Sequence, residues 1–125
     1  MLKLGWKAGT EQFSPDELLD YAVAAEEAGF DSIDASDHFH PWAEAGQACF
    51  VWAWLGAVAA RTRKITLGTG VTCPILRYHP AILAQASATV AALAPDHEQL
   101  PRLDHDRLAR ADGRVTGERR GRGPA

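Results

Sequence analysis

The sequence predicts an α/β protein built on parallel strands, and three observations support this prediction. Short apolar segments alternate with longer helix-like segments in the order βαβαβα. The connections between them have the lengths of βαβ units, whose successive strands run parallel through right-handed crossovers. An acid, two histidines and a tryptophan follow the second apolar segment. In α/β proteins this end of a parallel strand carries the binding residues.

Three apolar segments predict the strands. Residues 2–6 alternate apolar with other side chains and are predicted to form the first strand. Residues 30–36 are predicted to form the second strand, and residues 64–71 the third strand with the turn that follows it. No further apolar strand follows in the sequence. The prediction is therefore a three-stranded parallel sheet with two open edges, which normally need cover.

Two helices are predicted from their end signals and composition. Ser14 can cap the first helix, Pro15 suits its first position, and Glu17 completes a capping box. Gly29 stands where a left-handed residue ends a helix. The second helix is predicted over residues 49–61, which are nearly all apolar.

A third helix is predicted to begin at Pro80. Its apolar residues recur at helical spacing, which predicts one buried stripe. The residues of that stripe are Ile82, Ala86, Val90 and Leu93.

Residues 37–42 concentrate most of the chemistry of the chain. Histidine is a common general base, so His38 can take the proton of a substrate hydroxyl. The Asp37 carboxylate can orient a ring N–H, and the Trp42 indole can shield a ring or donate its N–H. On residue type alone, a loop acid, a loop histidine and a tryptophan are more often structural.

A metal-dependent hydrolase is one alternative for this segment. His38 and His40 lie on one side of an extended segment, and zinc binds pairs of imidazoles of this kind. No further ligands from later strands can be identified, and Pro41-Trp42 is not part of such a site. We therefore predict no metal site.

Several segments, taken together in order, resemble one known family. Residues 2–95 are similar to the amino-terminal portion of the luciferase-like oxidoreductases that use flavin or deazaflavin. The similarity is greatest to the branch that uses coenzyme F420, which includes the F420-dependent glucose-6-phosphate dehydrogenases. The matching segments are residues 2–8, 11–13, 24–26, 36–39, 41–42, 61–62, 67–69 and 77–78.

The resemblance implies a fold and an activity. The fold is a TIM (β/α)8 barrel, of which residues 1–95 would form the first three βα units as an incomplete barrel domain. The activity of the intact relatives is hydride transfer between a small hydroxyl or carbonyl substrate and coenzyme F420, and these relatives are expected to be homodimers. As a fragment of such an enzyme, the chain itself is expected to be inactive. A fragment of an FMN-dependent monooxygenase of the same superfamily is the alternative.

The resemblance also implies which residues form the site. Asp37 matches a position that hydrogen-bonds the deazaflavin ring. His38 matches the active-site histidine, and Trp42 matches an aromatic residue beside the site. Gly70 and Val71 match a turn with a non-prolyl cis peptide bond behind the cofactor ring.

Thr72 and Cys73 follow this turn and are predicted to bind the cofactor. In the glucose-6-phosphate branch a hydroxyl residue occupies the position of Cys73. The cysteine at this position leaves the substrate subgroup open.

Residues 96–125 differ from the rest of the chain. They hold seven of the ten arginines, six acids and none of the ten aromatic residues. The expected glycine-rich turn with its partner acid is absent, and neither Asp104 nor Asp106 is assigned that role. We predict that this segment is unrelated to the barrel or frameshifted, with a short helix at most and a largely disordered end. A three-stranded remnant with an exposed apolar face and no catalytic role is the corresponding alternative.

Composition and charge indicate a cytoplasmic protein. Cys49 and Cys73 are expected to be reduced thiols, and no signal peptide is expected, since no apolar run follows Lys3. The apolar run 51–60 is too short to span a membrane. The arginine-rich tail is nearly balanced by acids, so we predict no nucleic-acid partner.

Overall fold

The computed structural model of the chain describes residues 2–74 and 76–97. The predicted alternation of strands and helices is confirmed there. The elements are β1 (Gly5–Ala8), α1 (Pro15–Glu27), β2 (Ser32–Ala35), α2 (Val51–Arg61), β3 (Thr66–Thr69) and α3 (Pro80–Leu93). The short helix and the disordered end predicted for the tail lie outside the described residues.

The three strands form one parallel sheet in the order β1-β2-β3. This is the arrangement of three successive βα units of a (β/α)8 barrel, as predicted. The predicted position of the first strand, residues 2–6, is wrong by about two residues. Leu4 instead pairs with the loop before β2: its N–H donates to Asp31 Oδ2 at 2.7 Å, and its carbonyl accepts from the Asp31 N–H at 2.8 Å. The alternation of Leu2 and Leu4 therefore did not mark a buried face, because both side chains are exposed.

The two faces of the sheet differ in polarity. Ala8, Ile33, Ala35 and Leu67 are buried in the core that the helices share with the sheet. The open face carries polar groups, including Lys7 on β1, which pairs in register with Asp34 on β2. The expectation that a three-stranded remnant would expose an apolar sheet face is therefore wrong for the described residues, since the apolar side chains of the strands point at the helices.

The first helix begins as predicted. The Ser14 N–H donates to Glu17 Oε2 at 3.0 Å, and Ser14 Oγ donates to the same oxygen at 2.7 Å. The helix is followed by Gly29 at φ 87°, a left-handed conformation that favours glycine. On its inner face Leu18 and Ala22 are fully buried.

The second helix is the centre of the helical layer. Val51, Trp54, Leu55 and Val58 are buried along it. The Trp54 indole N–H donates to the Pro15 carbonyl at 3.1 Å, which ties α2 to the start of α1. No helix in the described ranges has the length and apolar content needed to cross a membrane.

The third helix is more exposed than predicted. None of its residues is buried, and Ile82 and Leu93 of the predicted stripe keep 56% and 54% of their surface accessible. The helix packs mainly against α2, and of the stripe only Val90 joins the core. The apolar periodicity identified the helix correctly. The expected burial failed because, among the described residues, its apolar surface has neighbours on one side only.

A single carboxylate fixes the turn between α2 and β3. Glu26, at the end of α1, accepts the backbone N–H groups of Arg63, Lys64 and Ile65 at 2.6–3.0 Å. Burial raises the pKa of Glu26, but these three N–H donors outweigh it, and the net pKa lies below the ordinary value. The ionised carboxylate thus positions the start of β3 against the end of α1.

We predict that Glu26→Ala lowers the free energy of unfolding by about 1–2 kcal/mol, a value that allows for solvent screening of a partly exposed group. Because the pKa is lowered in the folded state, this contribution is present above the ordinary glutamate pKa and is lost as pH falls through the folded-state value. Urea unfolding at pH 7 and at acidic pH measures both effects. Glu27→Ala is the control, since Glu27 is exposed beside it. Equal losses for the two variants would contradict the assignment.

Candidate functional site

The carboxyl ends of β2 and β3 bring the predicted site segments together. The Gly70 N–H donates to the Ala35 carbonyl at 2.9 Å, and the Asp37 N–H donates to the Val71 carbonyl at 3.4 Å. The peptide bond between Gly70 and Val71 is cis, as the family resemblance implied. Val71 is therefore adjacent to Asp37, although 34 positions separate them in the sequence.

Asp37 is the most constrained of these residues. Its side chain is fully buried, and Arg77 Nη1 lies 3.0 Å from its Oδ1. The same Arg77 nitrogen donates to the Asp37 carbonyl at 2.6 Å, and the Tyr78 hydroxyl donates to Oδ1 at 2.9 Å. One oxygen of the carboxylate is thus held by two side chains from the loop after β3.

The other oxygen of Asp37 is left free. Oδ2 is buried and has no hydrogen-bond partner among the described residues. A buried carboxylate oxygen without a donor costs free energy, so such an atom points to a group that completes it. An N–H donor of a bound ring is a group of the required kind.

Arg77 and Tyr78 were not predicted as site residues. Burial and then the hydrogen bond to Asp37 raise the pKa of the Tyr78 phenol to about 12. The phenol therefore stays protonated and continues to donate to the carboxylate. Sequence reasoning had matched these two residues to the family without assigning them a role. The signal was their position after β3, at the same edge of the sheet as Asp37.

His38 is held by a second acid. Its Nδ1 makes an ion-pair contact with Glu11 Oε1, and its ring is about one-third exposed. Because Nδ1 contacts Glu11, Nε2 is the ring nitrogen left to contact a ligand. Glu11 was also missed as a site residue. It lies in the loop after β1, and therefore at the same sheet edge.

The predicted aromatic residue lies beside this histidine. The Trp42 ring centroid is 6.1 Å from that of His38 with an interplanar angle of 61°, and 86% of the Trp42 surface is exposed. Its indole therefore does not pack in the core. Phe39 is equally exposed, and the Arg77 guanidinium lies 5.9 Å from its ring centroid.

The turn after β3 carries the remaining predicted residues. Thr72 Oγ1 is buried and has no partner in the described part of the chain, whereas the side chain of Cys73 is exposed. The Cys73 carbonyl accepts the Arg77 N–H at 3.4 Å, which connects this turn to the residue that holds Asp37. Cys49 packs against the hydrophobic core. Burial raises the pKa of its thiol, and the charge of Asp37 adds to the effect.

An open cleft of about 410 Å³ lies beside Asp37, His38 and Trp42, and the turn residues Val71, Thr72 and Cys73 are not among its lining. Its lining residues are Asp37, His38, Phe39, His40, Pro41, Trp42 and Arg77. His40 turns its Nδ1 to the Pro41 carbonyl at 2.8 Å. Within residues 2–74 and 76–97 no three histidine, cysteine or acidic side chains gather as ligands for a metal ion.

Comparison with known proteins identifies the family. The sequence profile of the luciferase-like monooxygenase family matches residues 2–96. The chain belongs to this family. A solved structure, an F420-dependent secondary alcohol dehydrogenase in complex with an F420-acetone adduct, matches with a TM-score of 0.72 and 43% identity. The match covers 76% of this chain and 29% of that one.

Curated relatives agree with this assignment. The F420-dependent glucose-6-phosphate dehydrogenase of Intrasporangium calvum is 55% identical over 96 residues, covering 76% of this chain and 29% of its own length. The enzyme of the same name from Mycobacterium avium is 58% identical over 95 residues, covering 75% and 28%. The chain thus spans less than a third of the length of these relatives.

We predict that Tyr78 ionises only near its raised pKa of about 12. We also predict that Asp37→Asn lowers the pKa of Tyr78, but not as far as the ordinary value for tyrosine. The carboxylate charge is removed, whereas the burial of Tyr78 remains. Alkaline titration followed by ultraviolet absorbance measures both. Tyr21→Phe is the control, because it removes the other tyrosine and should leave the high transition unchanged. A high transition that is unaltered by Asp37→Asn would contradict the contact.

Proposed function

We propose that the chain carries the cofactor-facing part of an oxidoreductase that transfers a hydride between coenzyme F420 and a small hydroxyl or carbonyl substrate. The observation that carries the proposal is the buried Asp37 Oδ2, which lacks a donor among the described residues. Because the chain spans about 29% of its relatives, the activity of a whole enzyme is part of the proposal.

The residues of the site fit such a cofactor. A deazaflavin ring carries N–H groups that suit the free Asp37 oxygen, and the exposed Val71 offers an apolar surface next to it. Thr72 Oγ1 is a second buried polar atom without a described partner at this edge. Asp37, Val71 and Thr72 are therefore the residues that we assign to cofactor binding, with Gly70 and Cys73 flanking them in the turn.

The acid–base chemistry is assigned to His38. When bound, coenzyme F420 supplies the position that accepts or releases the hydride. His38 Nε2 takes the proton of the substrate hydroxyl in the oxidative direction and returns it in the reductive direction. Glu11 holds Nδ1, fixes the ring tautomer and stabilises the imidazolium that forms. Trp42, beside the imidazole, limits the access of water to this proton transfer.

The relatives and the site support the proposed substrate class. The relatives are named for glucose-6-phosphate and for a secondary alcohol, and an acetone adduct accompanies the second. These substrates share a carbon that interconverts between hydroxyl and carbonyl. A single imidazole base beside a ring-binding carboxylate serves this conversion, and we assign the same substrate class to this chain.

We predict that the 125-residue chain binds coenzyme F420 and that Asp37→Ala weakens this binding about tenfold. Loss of one charge-assisted hydrogen bond is worth about 1.4 kcal/mol or more, which corresponds to this factor. Titration of cofactor fluorescence measures the dissociation constant. His40→Ala is the matched control, because His40 lines the same cleft but its Nδ1 contacts only the neighbouring Pro41 carbonyl.

Two results would contradict the proposed function. One is a wild-type chain that does not bind coenzyme F420, and the other is an Asp37→Ala variant that binds as tightly as His40→Ala. A parallel titration with FMN tests the flavin alternative. Tighter binding of FMN than of coenzyme F420 would replace the deazaflavin assignment with that alternative.

A further inference from the structure

A lysine and an aspartate on the open face of the sheet contact the turn of the candidate site. Lys7 on β1 and Asp34 on β2 are register partners, and Lys7 Nζ lies 3.1 Å from Asp34 Oδ2. Lys7 Nζ also donates to the Gly70 carbonyl, at the turn after β3. One ammonium group therefore joins all three strands on the face opposite the helices.

The same pair fills the space beside Gly70. A Cβ placed on Gly70 would overlap Asp34 Oδ2 and would lie 2.7 Å from Asp34 Cγ. The Asp34 carboxylate occupies this space because glycine leaves it open, and Lys7 holds the carboxylate there. A side chain at position 70 would therefore require the Asp34 carboxylate to move.

We infer that Lys7 and Asp34 are positioning residues that hold the Gly70 carbonyl and thereby fix Val71 where the cofactor ring binds. This inference rests on the proposed function. Both act through the turn, because Lys7 donates to the Gly70 carbonyl and Asp34 fills the space beside Gly70.

Two further contacts connect this turn to the cofactor-binding acid. Ser36 Oγ donates weakly to the Gly70 carbonyl at 3.5 Å, so Lys7 is the closer of its two side-chain donors. The next carbonyl, that of Val71, accepts the Asp37 N–H. A shift of the Gly70 peptide would therefore displace the Val71 surface and the backbone of Asp37 together. Because the Lys7–Asp34 pair is about half exposed, its contribution to overall stability should be small.

The first part of the test needs no cofactor. Heteronuclear NMR of the full chain compares the carbonyl carbon of Gly70 and the amide of Val71 in wild type, Lys7→Met, Asp34→Asn and Lys64→Met. Lys64 is an exposed lysine just before β3, and it is the control for loss of a lysine charge. We expect the Gly70 and Val71 signals to move in Lys7→Met, to move less in Asp34→Asn, and to stay unchanged in Lys64→Met.

The second part measures cofactor affinity and thermal stability in the same four proteins. We expect Lys7→Met to weaken binding of coenzyme F420 about fivefold to tenfold relative to Lys64→Met. We expect these two variants to have the same midpoint of thermal unfolding. Asp34→Asn keeps the side-chain shape and is expected to weaken binding less. A pair that only stabilised the fold would lower the thermal midpoint and leave the affinity unchanged.

The outcomes separate this inference from the proposed function. Unchanged Gly70 and Val71 signals in Lys7→Met, or an affinity equal to that of Lys64→Met, would overturn the positioning role. A wild-type chain that does not bind coenzyme F420, but whose Gly70 signal responds to Lys7→Met, would overturn the proposed function. That result would still support the contact between Lys7 and the turn.

Discussion

The site depends on how one buried carboxylate, that of Asp37, is held. Arg77 and Tyr78 occupy Oδ1, and Oδ2 remains without a donor in the part of the chain that the structure describes. A buried carboxylate with one unpaired oxygen costs free energy unless a ligand donates a hydrogen bond to that oxygen. Since its partners come from the loop after β3, this arrangement exists only when β2 and β3 are correctly paired. The proposed ring-binding site therefore depends on correct pairing of the sheet.

The parallel topology explains why residues distant in sequence meet here. Each strand ends at the same edge of the sheet, and each following loop brings one or two residues of the candidate site to it. The loop after β1 gives Glu11, the loop after β2 gives Asp37 and His38, and the loop after β3 gives Val71 and Arg77. Contacts between the loops, such as Glu11 with His38 and Arg77 with Asp37, then hold these side chains in place at the sheet edge.

The sequence was sufficient for the element order and for the start of α1, because capping residues and apolar spacing act locally. It misplaced β1, since Leu2 and Leu4 alternate like a strand but lie outside the core. It also overestimated the burial of α3, because periodicity reports an apolar face and not whether a neighbour covers it. The roles of Arg77 and Glu11 were missed for a similar reason: both depend on contacts across strand ends, which no local pattern records.

The most direct test of this account is a crystal structure of the chain with coenzyme F420 bound. The account predicts the deazaflavin ring against Val71, with a ring N–H donating to Asp37 Oδ2 while Arg77 and Tyr78 keep Oδ1. A ring bound elsewhere on the molecule, or Asp37 Oδ2 still without a donor beside a bound ring, would contradict it.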